Sequence, residues 1–233
     1  MKTVSEEQTT KHHAIRSFVR REGRMTAGQK RALSELLPRF DISQQSKQKQ
    51  KDFFDSSRPV ELEIGCGNGD AVLAMAESRT EHNFLAVDVH RPGIGKLLIE
   101  TESRQLTNIG VSDLDINILL TNVIPDGSLF RVMIFFPDPW HKKKHHKRRL
   151  IQVPFLSSIL AKLIPSGELH IATDWQDYAD HIVNVLEQIP ALHNVSENGS
   201  YTSRPTHRPE TRFERRGLKL GHEVFDIITR KSS

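Results

Sequence analysis

From residue 59 onward, apolar positions alternate between two spacings. Short apolar runs with the character of buried strands cover 60–64 (VELEI), 83–88 (NFLAVD), 115–120 (DINILL), 131–136 (RVMIFF) and 168–173 (ELHIAT). Segments with helical spacing cover 70–79, 94–107, 150–163 and 175–188. The stretch 222–229 (HEVFDIIT) alternates well enough for a last strand. Strands alternating with helices predict an α/β fold, a mostly parallel sheet covered on both faces. Such sheets bind ligands beyond the carboxyl ends of their strands. The chemistry is therefore expected just after Ile64, Val87, Leu120, Phe136 and Ala172.

Upstream the pattern differs. A helical spacing runs through 27–37 and stops at Pro38, and 43–51 (SQQSKQKQK) is polar and unpatterned. We read residues 1–58 as a basic, partly flexible extension with a mobile linker, and 59–233 as the catalytic domain.

Composition narrows the class. No apolar run is long enough to span a bilayer, and MKTVSEEQTTKHH lacks the apolar core of a secretory leader. The single cysteine, Cys66, excludes an internal disulfide framework. A soluble cytoplasmic protein without an obligate protein partner is expected. The net charge is only +4, but the positive charge is clustered. Arg16, Arg20, Arg21, Arg24, Lys30 and Arg31 form one block, HKKKHHKRR at 141–149 a second, and Arg204, Arg208, Arg212, Arg215, Arg216 and Lys219 a third. One such block is often a solvated face; three suggest a polyanion.

The first strand runs into Glu63-Ile64-Gly65-Cys66-Gly67-Asn68-Gly69-Asp70. Gly65, Gly67 and Gly69 make a tight turn with no side chain blocking a ligand. The G-x-G-x-G spacing differs from the G-x-G-x-x-G dinucleotide fingerprint, and no Gly-Lys-Ser/Thr ending marks a phosphate loop. An acid before the loop, Glu63, suits a ligand with a cationic, donor-rich part, such as the amino group and sulfonium of S-adenosylmethionine. Asp88, ending the second strand, can accept from ribose hydroxyls, which NAD also carries. Glu63 and the glycine spacing favour a methyltransferase over a dehydrogenase. After the third strand, Asn122 is the expected acceptor for the adenine amine.

The fourth strand ends in Phe135-Phe136-Pro137-Asp138-Pro139-Trp140. Two prolines fix φ and remove backbone donors, so Asp138 sits on a stiff turn of acceptors. Guanine offers two donors on its Watson–Crick edge and would be held; adenine would be rejected. Guanine N7 carries a lone pair and no proton, so its methylation needs no general base. Asp138 would stabilise the charge that develops. Trp140 either stacks on a base or closes the core. His141, His145 and His146 lie among Lys and Arg residues, which would repel a cation, so phosphate contacts are expected and no metal site.

FFPDPWHKKKHHKRR resembles the hallmark of the bacterial tRNA (guanine-N7)-methyltransferase family, a class I S-adenosylmethionine-dependent group. LEIGCGNG, FLAVDVH, ATDW and TRFERRG followed by LGH resemble its other motifs in the same order. The resemblance covers about residues 59–229. It implies a Rossmann-like class I methyltransferase fold with a mostly parallel seven-stranded sheet, S-adenosylmethionine as cofactor, and tRNA as partner with a variable-loop guanosine as target. By position it implies that Glu63 and Asp88 bind cofactor, Asp138 is the catalytic acid, and Lys142, Asp174, Thr211, Arg212, Phe213 and Glu214 bind substrate. One departure from the family is read at Asn122-Val123, which replaces its usual Asp-Ala pair. A methyltransferase of the same fold acting on protein or a small molecule, and an RNA-binding protein that has lost catalysis, are the alternatives; the basic blocks oppose the first and the intact acids the second.

Overall fold

The computed structural model describes residues 23–55, 57–196 and 200–233, without the side chains of Arg212 and Phe213. Five parallel strands, β1 (Val60–Ile64), β2 (Asn83–Val87), β3 (Ile109–Ser112), β4 (Leu129–Phe135) and β5 (Leu163–Thr173), are joined by β6 (Leu192–Asn194) and β7 (Phe225–Lys231). Among the described residues the sheet has seven strands in the order β3-β2-β1-β4-β5-β7-β6, with β7 antiparallel to both neighbours. The chain order reverses direction between β1 and β4, and the ligand crevice of such a sheet opens at that point.

Helices flank both faces. On one face lie α1 (Ala27–Glu35), α2 (Leu37–Phe40), α4 (Asp70–Ser78) and α5 (Arg91–Ser103), around Phe84, Ala86, Met133 and Phe135. On the other lie α6 (Ile116–Asn122), α7 (Val153–Lys162) and α8 (Gln176–Leu186), around Leu62, Leu85, Val132, Ile134 and Leu169. Central strands covered on both faces explain the unbroken apolar runs. Each fully buried Leu, Ile or Phe contributes about 1.5–3 kcal/mol, so this double layer holds the strand ends rigidly in place.

Two expectations change. Residues 115–120 are not the third strand. Asp115 accepts from the Asn117 N–H at 2.9 Å and caps α6, and Ile116, Leu119 and Leu120 are buried at helical spacing. The third strand is the shorter run Ile109–Ser112.

The expected linker at 43–51 is also ordered. A short 3₁₀ turn, Ile42–Gln44, leads to α3 (Lys47–Phe54). Buried Asp41 accepts from the Ser43 N–H and hydroxyl at 2.9 and 2.7 Å and from the Gln44 amide at 2.8 Å. Asp41 also bridges to Val111 of β3, and Phe54 joins the core. This segment covers the edge strand β3, whose backbone would otherwise be open to pairing with another chain. Arg16, Arg20 and Arg21 lie outside the described residues.

Candidate active site

The glycine loop follows β1 directly. Gly65, Gly67 and Gly69 all have left-handed backbones, with φ of +79°, +57° and +80°. At Gly67 this matters twice: the left-handed φ disfavours any Cβ, and a Cβ there would project into open space over the crevice. The loop is fastened by Asp88, whose Oδ2 accepts from the Gly67 N–H at 2.8 Å while Oδ1 accepts from the His90 N–H at 2.7 Å. Cys66 is buried behind the loop; burial, with Asp88 and Glu63 nearby, pushes its thiol well up, out of nucleophilic range.

Glu61 and Glu63 are two apart on β1, so their side chains share a face, and both are buried. Their surroundings differ. Glu61 is held by the Arg131 guanidinium at 2.9 Å and by His82 at 2.6 Å. The Glu63 Oε2 is buried with no hydrogen-bond partner among the described residues. Burial pushes the Glu63 carboxyl up to about 8; Asp88 and Asp70 add to this and a hydrogen bond with the Val72 backbone opposes it. A buried carboxylate oxygen without a donor is the mark of a group that waits for one from a ligand.

The space in front of these acids has two lobes sharing Gly65, Phe135 and Phe136. One, of about 240 Å³, is lined by Val87, Asp88, Leu114, Ile116 and Asp138 among others. The other, of about 450 Å³, is lined by Glu63, Gly67, Asn68, Thr211 and Arg216 among others. The apolar side chains of Leu114 and Ile116 in the first lobe suit a flat base, and the unpartnered Glu63 oxygen in the second suits a cationic amino group. The orphaned oxygen and the open glycine edge thus match S-adenosylmethionine.

Two non-glycine residues in left-handed conformation bracket the turn after β4, Phe136 at φ +52° and Trp140 at +45°. Each costs about 1–2 kcal/mol, so the surroundings must hold the turn. Arg149 does so: its Nε donates to the Pro139 carbonyl at 2.9 Å, and its guanidinium is anchored by Asp177 and lies 4.8 Å from the Tyr178 ring centre. Asp138 projects, exposed, between the two prolines at the edge of the first lobe.

Behind the turn lies a buried ionic network. Arg208 binds Glu214 at 2.7 and 2.9 Å and Asp226 at 2.7 and 2.9 Å. The His170 Nε2 is 2.7 Å from the same Asp226, and its Nδ1 is 3.1 Å from His207. Burial alone would raise Asp226; the hydrogen bonds from His170 and Arg208 outweigh it and hold the carboxyl below its ordinary range. Burial, with Arg131 and His170, pushes His207 down to about 3, so it stays neutral. The Arg208 guanidinium lies under Phe135 and Phe136, 5.8 and 5.9 Å from their ring centres. It therefore joins the turn to α9 (Arg212–Lys219), which carries Thr211 and Arg216 to the second lobe.

The structure gathers Glu63, Gly65, Gly67, Asp88, Asp138 and Thr211 around the crevice, with Gly69 at the start of α4. Asp174 follows β5 and its Oδ2 is 3.2 Å from the His222 Nδ1; the cap of α8 is Trp175 instead. Lys142 is exposed at the start of the 3₁₀ turn Lys143–Arg148. Asn122 is elsewhere: it ends α6, exposed, and lines neither lobe. The displacement follows from the shift of the third strand, whose end is followed by Asp113-Leu114-Asp115-Ile116. Glu214 lines neither lobe either. The segment expected to be extended is helical, Thr211 caps it by accepting from the Glu214 N–H at 3.1 Å, and the Glu214 carboxylate is buried on Arg208. Arg149 and Arg208 leave the expected basic blocks for interior roles that residue type alone does not reveal. The side chains of Arg212 and Phe213 lie outside the described residues.

A family model described as "Putative methyltransferase" matches residues 57–227. The chain is 50% identical to the tRNA (guanine-N(7)-)-methyltransferase of Alkalilimnicola ehrlichii, over 93% of this chain and 92% of the relative. It is 46% identical to the protein of the same name from Methylococcus capsulatus, over 94% of each. Among solved structures, the 16S rRNA methyltransferase KamB superposes with a TM-score of 0.61 at 14% identity, over 81% of this chain and 94% of that one. A variant 16S rRNA (adenine(1408)-N(1))-methyltransferase from Catenulisporales acidiphilia, with cosubstrate SAM, superposes at 0.53 and 14%, over 81% and 92%. These two establish the fold alone.

Proposed function

The chain belongs to the tRNA (guanine-N7-)-methyltransferase family, and we propose from this that it transfers the methyl group of S-adenosylmethionine to N7 of a tRNA guanosine, in the variable loop as its resemblance to that family implies. The observation that carries the cofactor half is the Glu63 oxygen, buried at the crevice without a donor. The observation that supports the guanine half is Asp138, held on a stiff turn at the same crevice.

When bound, S-adenosylmethionine supplies an electrophilic methyl carbon on a sulfonium. Glu63 would accept from the amino end of the ligand and Asp88 from its ribose, and Leu114 and Ile116 would wall the base. Asp138 accepts from the N1–H and exocyclic amine of guanine and so orients the ring. Because N7 bears a lone pair and no proton, no residue need act as a base. A purine methylated at N7 is cationic. The Asp138 carboxylate offsets that charge. Lys142, Lys143, Lys144 and Lys147 are exposed beside the turn, with no acidic partner among the described residues, and meet the RNA backbone.

The test is methyl transfer from labelled S-adenosylmethionine to unmodified tRNA transcripts, with the product cleaved by borohydride and aniline. Label in tRNA with a single cut at a variable-loop guanosine is expected. Absence of label from tRNA, with the cofactor bound, would overturn the reading.

A further inference from the structure

The chain has two tryptophans, and their environments differ. Trp140 is half-buried, with the Arg148 guanidinium 5.1 Å from its ring centre and the His145 ring 5.9 Å away. Trp175 is 42% exposed, and no cation lies over its ring among the described residues. It immediately follows Asp174 beyond the carboxyl end of β5, on the edge of the sheet where the crevice opens.

Its backbone is fixed while its side chain is not used by the fold. The Trp175 carbonyl accepts from the N–H groups of Tyr178 and Ala179 at 3.0 and 2.9 Å, and its own N–H donates to the Thr173 hydroxyl at 3.3 Å. It occupies the N-cap of α8, where Ser, Thr, Asp or Asn would bond the first turn, and its side chain makes no such bond. Neither helix capping nor core burial accounts for a large aromatic here. One neighbour orients it: the His141 ring stands edge-on at 4.2 Å and 71°. His141 is part of the basic block after the turn that carries Asp138, so the platform is tied to that turn and flanked by exposed lysines.

We propose that Trp175, held edge-on by His141, is a stacking platform for an unpaired base of the RNA next to the target guanosine. This rests on the tRNA reading above. Enzymes that act on a base take it out of its stack to bring the target atom into the active-site crevice, and proteins that read unpaired RNA replace the lost stacking with exposed aromatic rings. Every base has a π-face, so the platform is tolerant of sequence and complements the guanine-matched turn.

Trp175→Ala is expected to raise the KM for tRNA by roughly 5- to 100-fold, while S-adenosylmethionine binding and the melting temperature stay at wild-type values. Trp175→Phe, which keeps a π-face, is expected to recover most of the loss. In the full chain labelled with 5-fluorotryptophan, the fluorine resonance assigned through Trp175→Phe should shift on adding tRNA and stay in place on adding S-adenosylmethionine alone. An unchanged KM in Trp175→Ala, or a Trp175 resonance indifferent to tRNA, would overturn the platform while wild-type methylation of tRNA continues. Failure of the wild-type chain to methylate tRNA would instead remove the reading on which the platform stands.

Discussion

Arg208 donates to both carboxylate oxygens of Glu214 while holding both oxygens of Asp226, so one buried guanidinium fastens α9 to β7 beneath the Phe135–Phe136 pair. All three groups are buried, and each is satisfied chiefly by the others and by His170. Removing one partner of such a cluster costs about 3–5 kcal/mol, since it leaves uncompensated charge. Arg208→Ala should therefore lower the melting temperature by on the order of 10 °C. Calorimetry decides this, and a melting temperature within a degree of wild type would refute the role.

Asp138 carries no structural load comparable to Arg208; it is exposed between two prolines. Asp138→Asn should leave the fold and S-adenosylmethionine affinity intact and reduce turnover about 10²- to 10³-fold, the range seen when one preorganised electrostatic group is removed. Single-turnover methyl transfer at saturating tRNA reads this directly. Full turnover would exclude the proposed charge stabilisation.

The raised Glu63 carboxyl makes stability depend on pH. The ordinary value is 4.5 and the folded value is about 8. Between these, the folded chain keeps a proton that the unfolded chain has lost, so stability falls as pH rises and levels off above about 8, at up to about 1.4 kcal/mol per pH unit. Glu63→Gln removes this slope. Thermal melts of the two proteins without ligand, from pH 5 to 9, should show the variant gaining on wild type as pH increases. Parallel curves would mean that Glu63 is ionised in the empty crevice.

The exposed lysines after the turn predict the salt response of tRNA binding. Each lysine–phosphate pairing that is removed should lower the magnitude of the slope of log K against log salt by about one. Lys143→Ala with Lys147→Ala should weaken tRNA binding, flatten the slope and leave S-adenosylmethionine binding unchanged. An unchanged slope would show that this block faces solvent in the complex.

The sheet, its helices and the loop acids are legible in the sequence because they follow from local rules: buried runs make strands, and alternate glycines admit left-handed turns. The third strand is harder to place because DINILL carries enough apolar residues for either element; the cap that decides between them is Asp115, through a single side-chain bond to the backbone. The same ambiguity shifts the expected adenine contact to Asn122. The segment at 43–51 reads as a linker because α3 is polar on most of its surface and gains its stability from a few buried groups, Ile42, Gln50 and Phe54. Glu214, Arg149 and Arg208 escape a linear reading for a different reason. Their roles depend on how separate elements pack, and a charged residue looks alike in sequence whether it meets phosphate or a buried ion pair.

Because β7 leaves the ribosome after β5 and β6 and then inserts between them, the sheet cannot close in the order in which it is made. Until that strand arrives, Arg208 and His170 lack Asp226, and α9 has no fixed seat beside the cofactor lobe. A nascent chain therefore carries the glycine loop and the turn bearing Asp138 before the ionic network behind them can close.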